Sequence, residues 1–534
     1  FIRTGSQLGQ EHAARPVWNL AALLDVHSVI IAAGAIQGLS GGYAAVLAAS
    51  FAYAAAQAPA ADDSDDTRSA DRIDGPDEFY GVLHGSISND EEQLRTLYDP
   101  ADDHGDEVHN GPGMHGPANT AAAAEAGYRP CKRCQPEMAL VTPEWVLRNP
   151  HLGRALRFID EGFLNDRSVA ALASRLGISE RHLERIFVQL LGVTPSVIAR
   201  FKRVHLARQL LATDLSLVQV ANHAGYGSVS QFNREIRKIF HSTPSALRKA
   251  RGSSQGTQTL SLTLPVHQPY NFDWMFDYLR IRAMEGLEEV VGHRYVRHLP
   301  HQQGSVVVAR EGQNLRVHLP RNAGSIHTLL RRIVRIFDLE ADSSAIHAHL
   351  VQHDLLAPWV KQAPGLRVPG AWDGFETAIR AILGQQVSVA RGTELANALI
   401  RRYGQGEFPT AKQLCGSEIA EIGMPGRRGR AISMLAQAVL NAEIDLSSTC
   451  DQDLLVSALT AIPGIGPWTT SYIKMRVCKD PNAFLHNDWV VLKQLAATPA
   501  KAATQASAWQ PWRAYALMYL WFAAGQRRAR LENT

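Results

Sequence analysis

Asp488 stands in the segment FLHNDWVV, one short loop beyond the helix that follows the run Pro463-Gly464-Ile465-Gly466, and a lone carboxylate in that setting carries the most chemistry in this chain. Breaking a bond between a base and a sugar leaves positive charge on the sugar. A carboxylate beside that carbon stabilises the oxocarbenium-like transition state and orients or deprotonates the attacking water. Taken alone, an Asp before an apolar run reads as a helix N-cap, and one residue can hold both roles. The elements that position it are legible nearby. Leu454, Leu455, Ala458 and Leu459 have helical spacing, the Pro-Gly run forces a tight turn, and Pro467 fits the first position of a second helix. In this helix, hairpin, helix the glycines Gly464 and Gly466 let the backbone approach another backbone closely. The free amides leading to Thr469 favour an anion such as a DNA phosphate. A bare turn of this composition also reads as a corner without any ligand.

The block from about 262 to 527 resembles the helix-hairpin-helix DNA glycosylases, and most closely 3-methyladenine DNA glycosylase II. It carries QPYNFDWMFDYLRIRA at 268–283, LRVPGAWDGFETAIRAILGQQVSVARGTELA at 366–396, GMPGRRGRAI at 423–432, the hairpin, and WQPWRAYALMYLWFAAG at 509–525, in that order. The resemblance implies that Asp488 is the catalytic aspartate and that Tyr278, Trp468, Tyr472 and Trp521 line a base pocket. Electron-rich ring faces suit the positive charge of an alkylated purine. It further implies base flipping, with Gln386 at the position of the wedge that fills the gap in the stack. Each aromatic also reads as ordinary core, Trp521 above all, and Gln385 and Gln386 also read as helix-surface or capping polarity. Relatives with lyase action place a lysine in the hairpin, where this chain has Ile465-Gly466-Pro467-Trp468-Thr469, so the expectation is monofunctional hydrolysis. Iron-sulfur relatives carry four cysteines after the catalytic region. Here only Cys478 lies near it, so no cluster is expected, and no cofactor is required for hydrolysis.

Two further segments, SVAALASRLGISERHLERIF at 168–187 and LSLVQVANHAGYGSVSQFNREIRKIF at 215–240, each place an apolar helix, a turn at Gly177 or Gly225, and a polar-faced second helix in succession. With GVTPSVIARFKRVHLARQLL between them, this tandem helix-turn-helix resembles the AraC-type DNA-binding domain across 148–251. That span holds 17 Lys/Arg against 7 Asp/Glu, the charge expected of a phosphate-contacting surface, whereas the whole chain carries only +3. Arg181, His182 and Arg185 in the first recognition helix, and Ser230, Gln231, Asn233 and Arg234 in the second, are the candidates for DNA contact. Any one of them also reads as solvated helix surface.

Upstream, TAAAAEAGYRPCKRCQPE at 120–137 resembles the second half of the Ada-type methylphosphotriester domain, whose four cysteines hold zinc and whose first accepts the methyl group. Cys131 and Cys134 match the last two. After DRIDGPDEFYGVLHGSI come Ser88, Asn89 and Asp90, with no cysteine, so zinc is doubtful and no methyl transfer is expected. His104, His109 and His115 are the alternative ligands, in an acidic, Gly-rich loop. Residues 1–147 hold 8 Lys/Arg against 21 Asp/Glu, a balance that repels DNA. The uncharged run at 27–61 is long enough to span a bilayer, but Ala, Gly and Ser dominate it and no Lys/Arg cluster flanks it, so no membrane is expected. A signal peptide is the other reading of its small-residue end. The chain begins at Phe1, as a fragment or a disrupted reading frame would.

The expected fold class is mainly α: a tandem helix-turn-helix domain, a helix-hairpin-helix glycosylase domain with a small antiparallel β-sheet subdomain, and a degenerate α/β N-terminal domain. The expected borders are 1–61 for the Ala-rich segment, 62–143 for the degenerate zinc domain, 144–252 for the AraC-type module, 253–258 for a linker, 259–324 for the β-containing subdomain and 325–534 for the glycosylase. Five scattered cysteines argue for a reducing compartment, hence a cytoplasmic, nucleoid-associated protein. The expected partners are double-stranded DNA, alkylated DNA and, through the AraC-type module, RNA polymerase. The leading function is excision of alkylated bases. The alternatives are a regulator of the alkylation response whose glycosylase part only scans DNA, and the inactive product of a damaged gene.

Overall fold

The computed structural model describes residues 149–249 and 259–532 apart from 323, together with position 121 and two short strands, Tyr98–Asp99 and Arg129–Pro130, that pair antiparallel. Those five residues aside, the expected segments 1–61 and 62–143, with Cys131 and Cys134, lie outside the described residues, as does the linker 253–258. Among the described residues no helix is long and apolar enough to cross a membrane.

Residues 150–249 form two helix-turn-helix units joined by the helix Pro195–Leu210. In the first unit Val169–Arg175 leads into Glu180–Leu191, and in the second Leu217–His223 leads into Val229–Phe240. Serines open all four helices: Ser168, Ser179, Ser216 and Ser228 each accept a backbone N–H, and Ser216 forms a capping box with Gln219. The turns hold Gly177 at φ +72° and Gly225 at φ +83°, a region that favours glycine. Leu172, Leu183, Ile186 and Phe187 close the first core. The second, built on Val220, Phe232 and Ile236, is continuous with the core of the C-terminal part.

That part opens with a five-stranded antiparallel sheet in the spatial order Thr259–Leu264, Asn314–Pro320, Ser305–Glu311, Arg294–His298, Glu288–Val291. Period-two burial drives it: Leu260, Leu262 and Leu264 lie opposite Leu319, Val317 and Leu315, all buried. From Ile326 onward the chain is helical. Two apolar cores result. One joins the sheet to the helix Arg513–Glu532, whose Tyr515, Leu517, Tyr519 and Trp521 are buried. The other gathers Gly374–Leu383, Val389–Leu399, Gly426–Leu440 and the two hairpin helices, Gln452–Thr460 and Pro467–Val477. Tyr472 packs against both.

The module docks on the C-terminal part through a polar seam. Arg154 donates from Nε to the Thr449 carbonyl at 3.0 Å and from Nη1 to Asp451 Oδ2 at 3.1 Å. Ser448 Oγ donates to Glu161 Oε1 at 2.9 Å, Arg335 pairs with Glu161 at 3.1 Å, Arg331 with Asp160 at 3.4 Å, and Arg321 with Asp214. Three of the seven acidic residues of 148–251 are therefore used here, which leaves the rest of the module correspondingly basic.

Candidate active site

The hairpin forms as its residues dictate. Asp451 caps the first helix through Oδ1, Gly464 turns the chain at φ +102°, and Pro467 starts the second helix with Gly466 as its N-cap. Ile465 is buried in the helical core and anchors the turn, while Pro463 and Pro467 are exposed. The two glycines differ in what they need. A Cβ on Gly464 would sit 3.3 Å from Ala431 Cβ on top of its left-handed φ, whereas a Cβ on Gly466 would meet nothing within 4 Å. Thr469 is buried, and its hydroxyl accepts from Gln385 Nε2 at 2.8 Å; the same nitrogen donates to the Gly464 carbonyl at 3.0 Å. Thr469 therefore has only its backbone to offer a phosphate, and Gln385 is the bolt that fixes the hairpin.

Asp488 is the N-cap of the helix Trp489–Leu495 and is only 8% exposed. Its Oδ1 accepts from Val491 N at 3.0 Å and from Trp521 Nε1 at 3.3 Å, and its Oδ2 from Trp468 Nε1 at 2.9 Å. Capping and carboxylate placement thus coincide in one side chain, with both oxygens held by N–H donors from three elements. Trp468 lies parallel to Tyr472, ring centroids 5.2 Å apart at 13°. Trp468, Tyr472 and Trp521 therefore gather around Asp488.

Tyr278 lies behind this group. It is 2% exposed, its hydroxyl stands 3.3 Å from that of Tyr472, and its ring face is covered by the Arg282 guanidinium at 3.7 Å. Arg476 donates to both tyrosine hydroxyls, at 2.8 Å to Tyr472, and to the Gly370 carbonyl at 3.3 Å. Burial alone would push the Tyr278 phenol up, but the Arg282 and Arg476 charges, with the Tyr472 hydrogen bond, pull it down to about 8. Burial holds the Tyr472 phenol above its ordinary value.

Gln386 is exposed, with φ +54°, in the turn between Gly374–Leu383 and Val389–Leu399. A non-glycine residue held there projects from the surface instead of lying along a helix. In the module, Arg181, Arg185, Ser230 and Arg234 are exposed, and His182, Gln231 and Asn233 half-buried. Arg185 Nη2 lies 2.8 Å from His182 Nδ1, and Gln231 Nε2 donates to Glu235 at 3.1 Å. Sequence reasoning took Gln385 only as helix-surface or capping polarity and missed Arg476, Arg282 and Trp489. Arg476 follows Tyr472 by one helical turn, a visible signal. Gly384 after Leu383 marks the helix end that frees Gln385. Trp489, 63% exposed beside Asp488, is more open than core packing explains. Arg282 follows Tyr278 by the same four-residue step, past the end of its helix, so the spacing was the available signal there too.

Comparison with known proteins identifies the family of both parts of the chain. The model of the AlkA N-terminal domain matches residues 261–373 and a helix-turn-helix domain model matches 172–250. The probable bifunctional transcriptional activator/DNA repair enzyme AlkA of Mycobacterium tuberculosis is 34% identical over 427 residues, which cover 75% of this chain and 86% of that protein. DNA-3-methyladenine glycosylase 2 of Escherichia coli is 31% identical over 280 residues, 49% of this chain and 97% of that protein. The bifunctional transcriptional activator/DNA repair enzyme Ada of Escherichia coli is 30% identical over 131 residues, 24% of this chain and 36% of that protein. With a hairpin, a caged carboxylate, a tandem helix-turn-helix and a relative matched over most of its length, the chain belongs to the AlkA family of bifunctional transcriptional activator/DNA repair enzymes.

Proposed function

We propose that this chain excises alkylated purines of the 3-methyladenine and 7-methylguanine type from double-stranded DNA by hydrolysing the N-glycosidic bond, and that its helix-turn-helix module binds DNA by sequence. The observation that carries the reading is the Asp488 carboxylate, fixed by Val491 N, Trp468 Nε1 and Trp521 Nε1 among aromatic rings. The hairpin amides take a backbone phosphate, Gln386 enters the stack, and the flipped base meets Trp468, Tyr472 and Trp521. Tyr278 and Arg476 support Tyr472 from behind. As the base departs, Asp488 stabilises the positive sugar and directs water to it, leaving an abasic site. A charge already in place at the reacting carbon needs no reorganisation during the step. With no lysine in the hairpin the reaction stops there. Water and Asp488 suffice for this route, and Cys131 and Cys134 are read as the remnant of a zinc site. The module brings the protein to promoters in the cytoplasm and contacts RNA polymerase there.

The test is release of 3-methyladenine and 7-methylguanine from methylated duplex DNA by the full chain. Release is expected. DNA binding without any release would overturn the enzymatic reading in favour of a regulator that scans DNA.

A further inference from the structure

A cavity of about 200 Å³ lies on the flank of the second hairpin helix, lined by Ser471, Lys474, Asn482, Phe484, His486 and Arg513. None of these side chains takes part in the cage around Asp488. Phe484, Ala483 and Ala503 form the apolar part of the wall, and the polar groups are mostly donors. Arg513 is held through Nε, which donates to the Asn482 carbonyl at 2.9 Å and to Asn482 Oδ1 at 2.6 Å. Its two terminal nitrogens, the Ser471 hydroxyl and the His486 ring have no hydrogen-bond partner among the described residues. Lys474 pairs with Asp480 at 2.9 Å, and the Arg513 charge is left without a carboxylate in an ion pair among the described residues, so the cavity keeps net positive charge. A fixed guanidinium fork with a hydroxyl and an imidazole beside it suits a tetrahedral oxyanion.

The position says which anion. Ser471 follows Trp468 by three residues, about 4.5 Å along the helix and about 60° around it. His486 precedes Asp488 by two residues. The cavity therefore shares the second hairpin helix and the segment leading to Asp488 with the cage that would face the sugar of a flipped nucleotide. The groups nearest that sugar along the strand are its neighbouring phosphates.

We propose that this cavity is a phosphate site which holds the DNA strand beside the flipped nucleotide, a second backbone contact separate from the hairpin. The assignment rests on the glycosylase reading for the placement of the sugar. The chemistry recognised is a phosphate group, and its two sources, the DNA backbone and free inorganic phosphate, are separable.

The experiment uses the full chain and a duplex containing a tetrahydrofuran abasic analogue, with affinity measured across salt concentrations. Ser471→Glu places a carboxylate against Arg513, and Ser471→Gln is its uncharged control. Losing one charge-assisted phosphate contact is expected to weaken binding about ten- to a hundredfold and to lower the slope of log K against log salt by about 0.9. The Gln variant, which loses the hydroxyl but adds no charge, should weaken binding less and keep the wild-type salt slope. His486→Glu, on another wall, should repeat the result and replaces Ser471→Glu if that variant does not fold. Wild-type affinity and slope in a folded Glu variant would overturn the proposal. Stabilisation of the wild type by inorganic phosphate, with DNA affinity untouched by the Glu variants, would also overturn it and leave a free-anion site. Wild-type excision of 3-methyladenine is scored separately. Its absence, with the salt slope still sensitive to Ser471→Glu, would remove the glycosylase reading and keep the phosphate site.

Discussion

Asp488→Asn separates the two tasks that meet in one side chain. Asn caps helices as well as Asp does, so its Oδ1 can keep the Val491 N–H that Asp488 accepts at 3.0 Å. The amide nitrogen then replaces Oδ2 and faces Trp468 Nε1–H, the donor now 2.9 Å from that oxygen. Two donors cannot bond. Turning the amide over restores Trp468 but sets the same conflict against Val491. Either way a buried N–H loses its acceptor, at about 1–3 kcal/mol, or a fall of roughly 2–10 °C in Tm for a domain of this size. The chemical loss is larger. Removing a preorganised electrostatic group costs about 100- to 1,000-fold in rate, roughly 2.7–4 kcal/mol, and the loss of a base adds to it. Single-turnover release of 3-methyladenine measures the chemistry, thermal unfolding measures the fold, and binding to an abasic-analogue duplex checks that DNA is still held. A folded Asp488→Asn protein that excises within tenfold of wild type would refute the assignment.

Gly466→Ala should leave Tm unchanged or raise it by the equivalent of about 0.4–1 kcal/mol, because a Cβ there meets nothing and the φ of −101° is open to alanine. Its affinity for duplex DNA should nevertheless fall at least tenfold, about 1.4 kcal/mol, and equal affinity would show that no backbone approaches this glycine. Gln385→Ala removes the hydrogen bonds to the Gly464 carbonyl and Thr469 Oγ1. At about 0.5–1.5 kcal/mol each, DNA binding should weaken roughly 5- to 100-fold while excision from saturating DNA changes little, so an unaltered Kd would unseat Gln385 as the bolt. For Tyr278 the folded phenol stands near 8 and the unfolded one near 10. The folded protein then gives up its proton first, so this group adds no stability below pH 8, gains it as pH rises through that range, and holds it fully above pH 10. The Tm advantage of wild type over Tyr278→Phe should widen from pH 8 to pH 10, and parallel curves would refute the shift.

What could be read from the chain followed local rules. Pro467 at a helix start, Gly464 in the hairpin turn and Gly177 and Gly225 in the turns between apolar helices act within a few residues, and each stands where the pattern places it. Asp488 was legible as a cap for the same reason, while its three-donor cage depends on Trp521, which lies 33 residues away in sequence. Tyr278 shows the limit. Its place in the sequence matches an aromatic of the pocket, yet Arg282 and Arg476 enclose it, and the latter lies 198 positions further along. Gln385 and Gln386 are adjacent and chemically identical, and only the turn geometry sends one inward to the hairpin and the other outward. The docking of the module was illegible because charge pairs such as Arg335 with Glu161 carry no periodicity.

Asp451 holds the first hairpin helix with one oxygen and Arg154 of the module with the other. A border drawn through 253–258 therefore divides the polypeptide without dividing the molecule. Exchanging either half for its counterpart from another fusion would bring unmatched charges to Asp451, Glu161, Arg331 and Arg335, and would open a core that the second helix-turn-helix unit shares with the sheet. The two halves can be shuffled only as a pair.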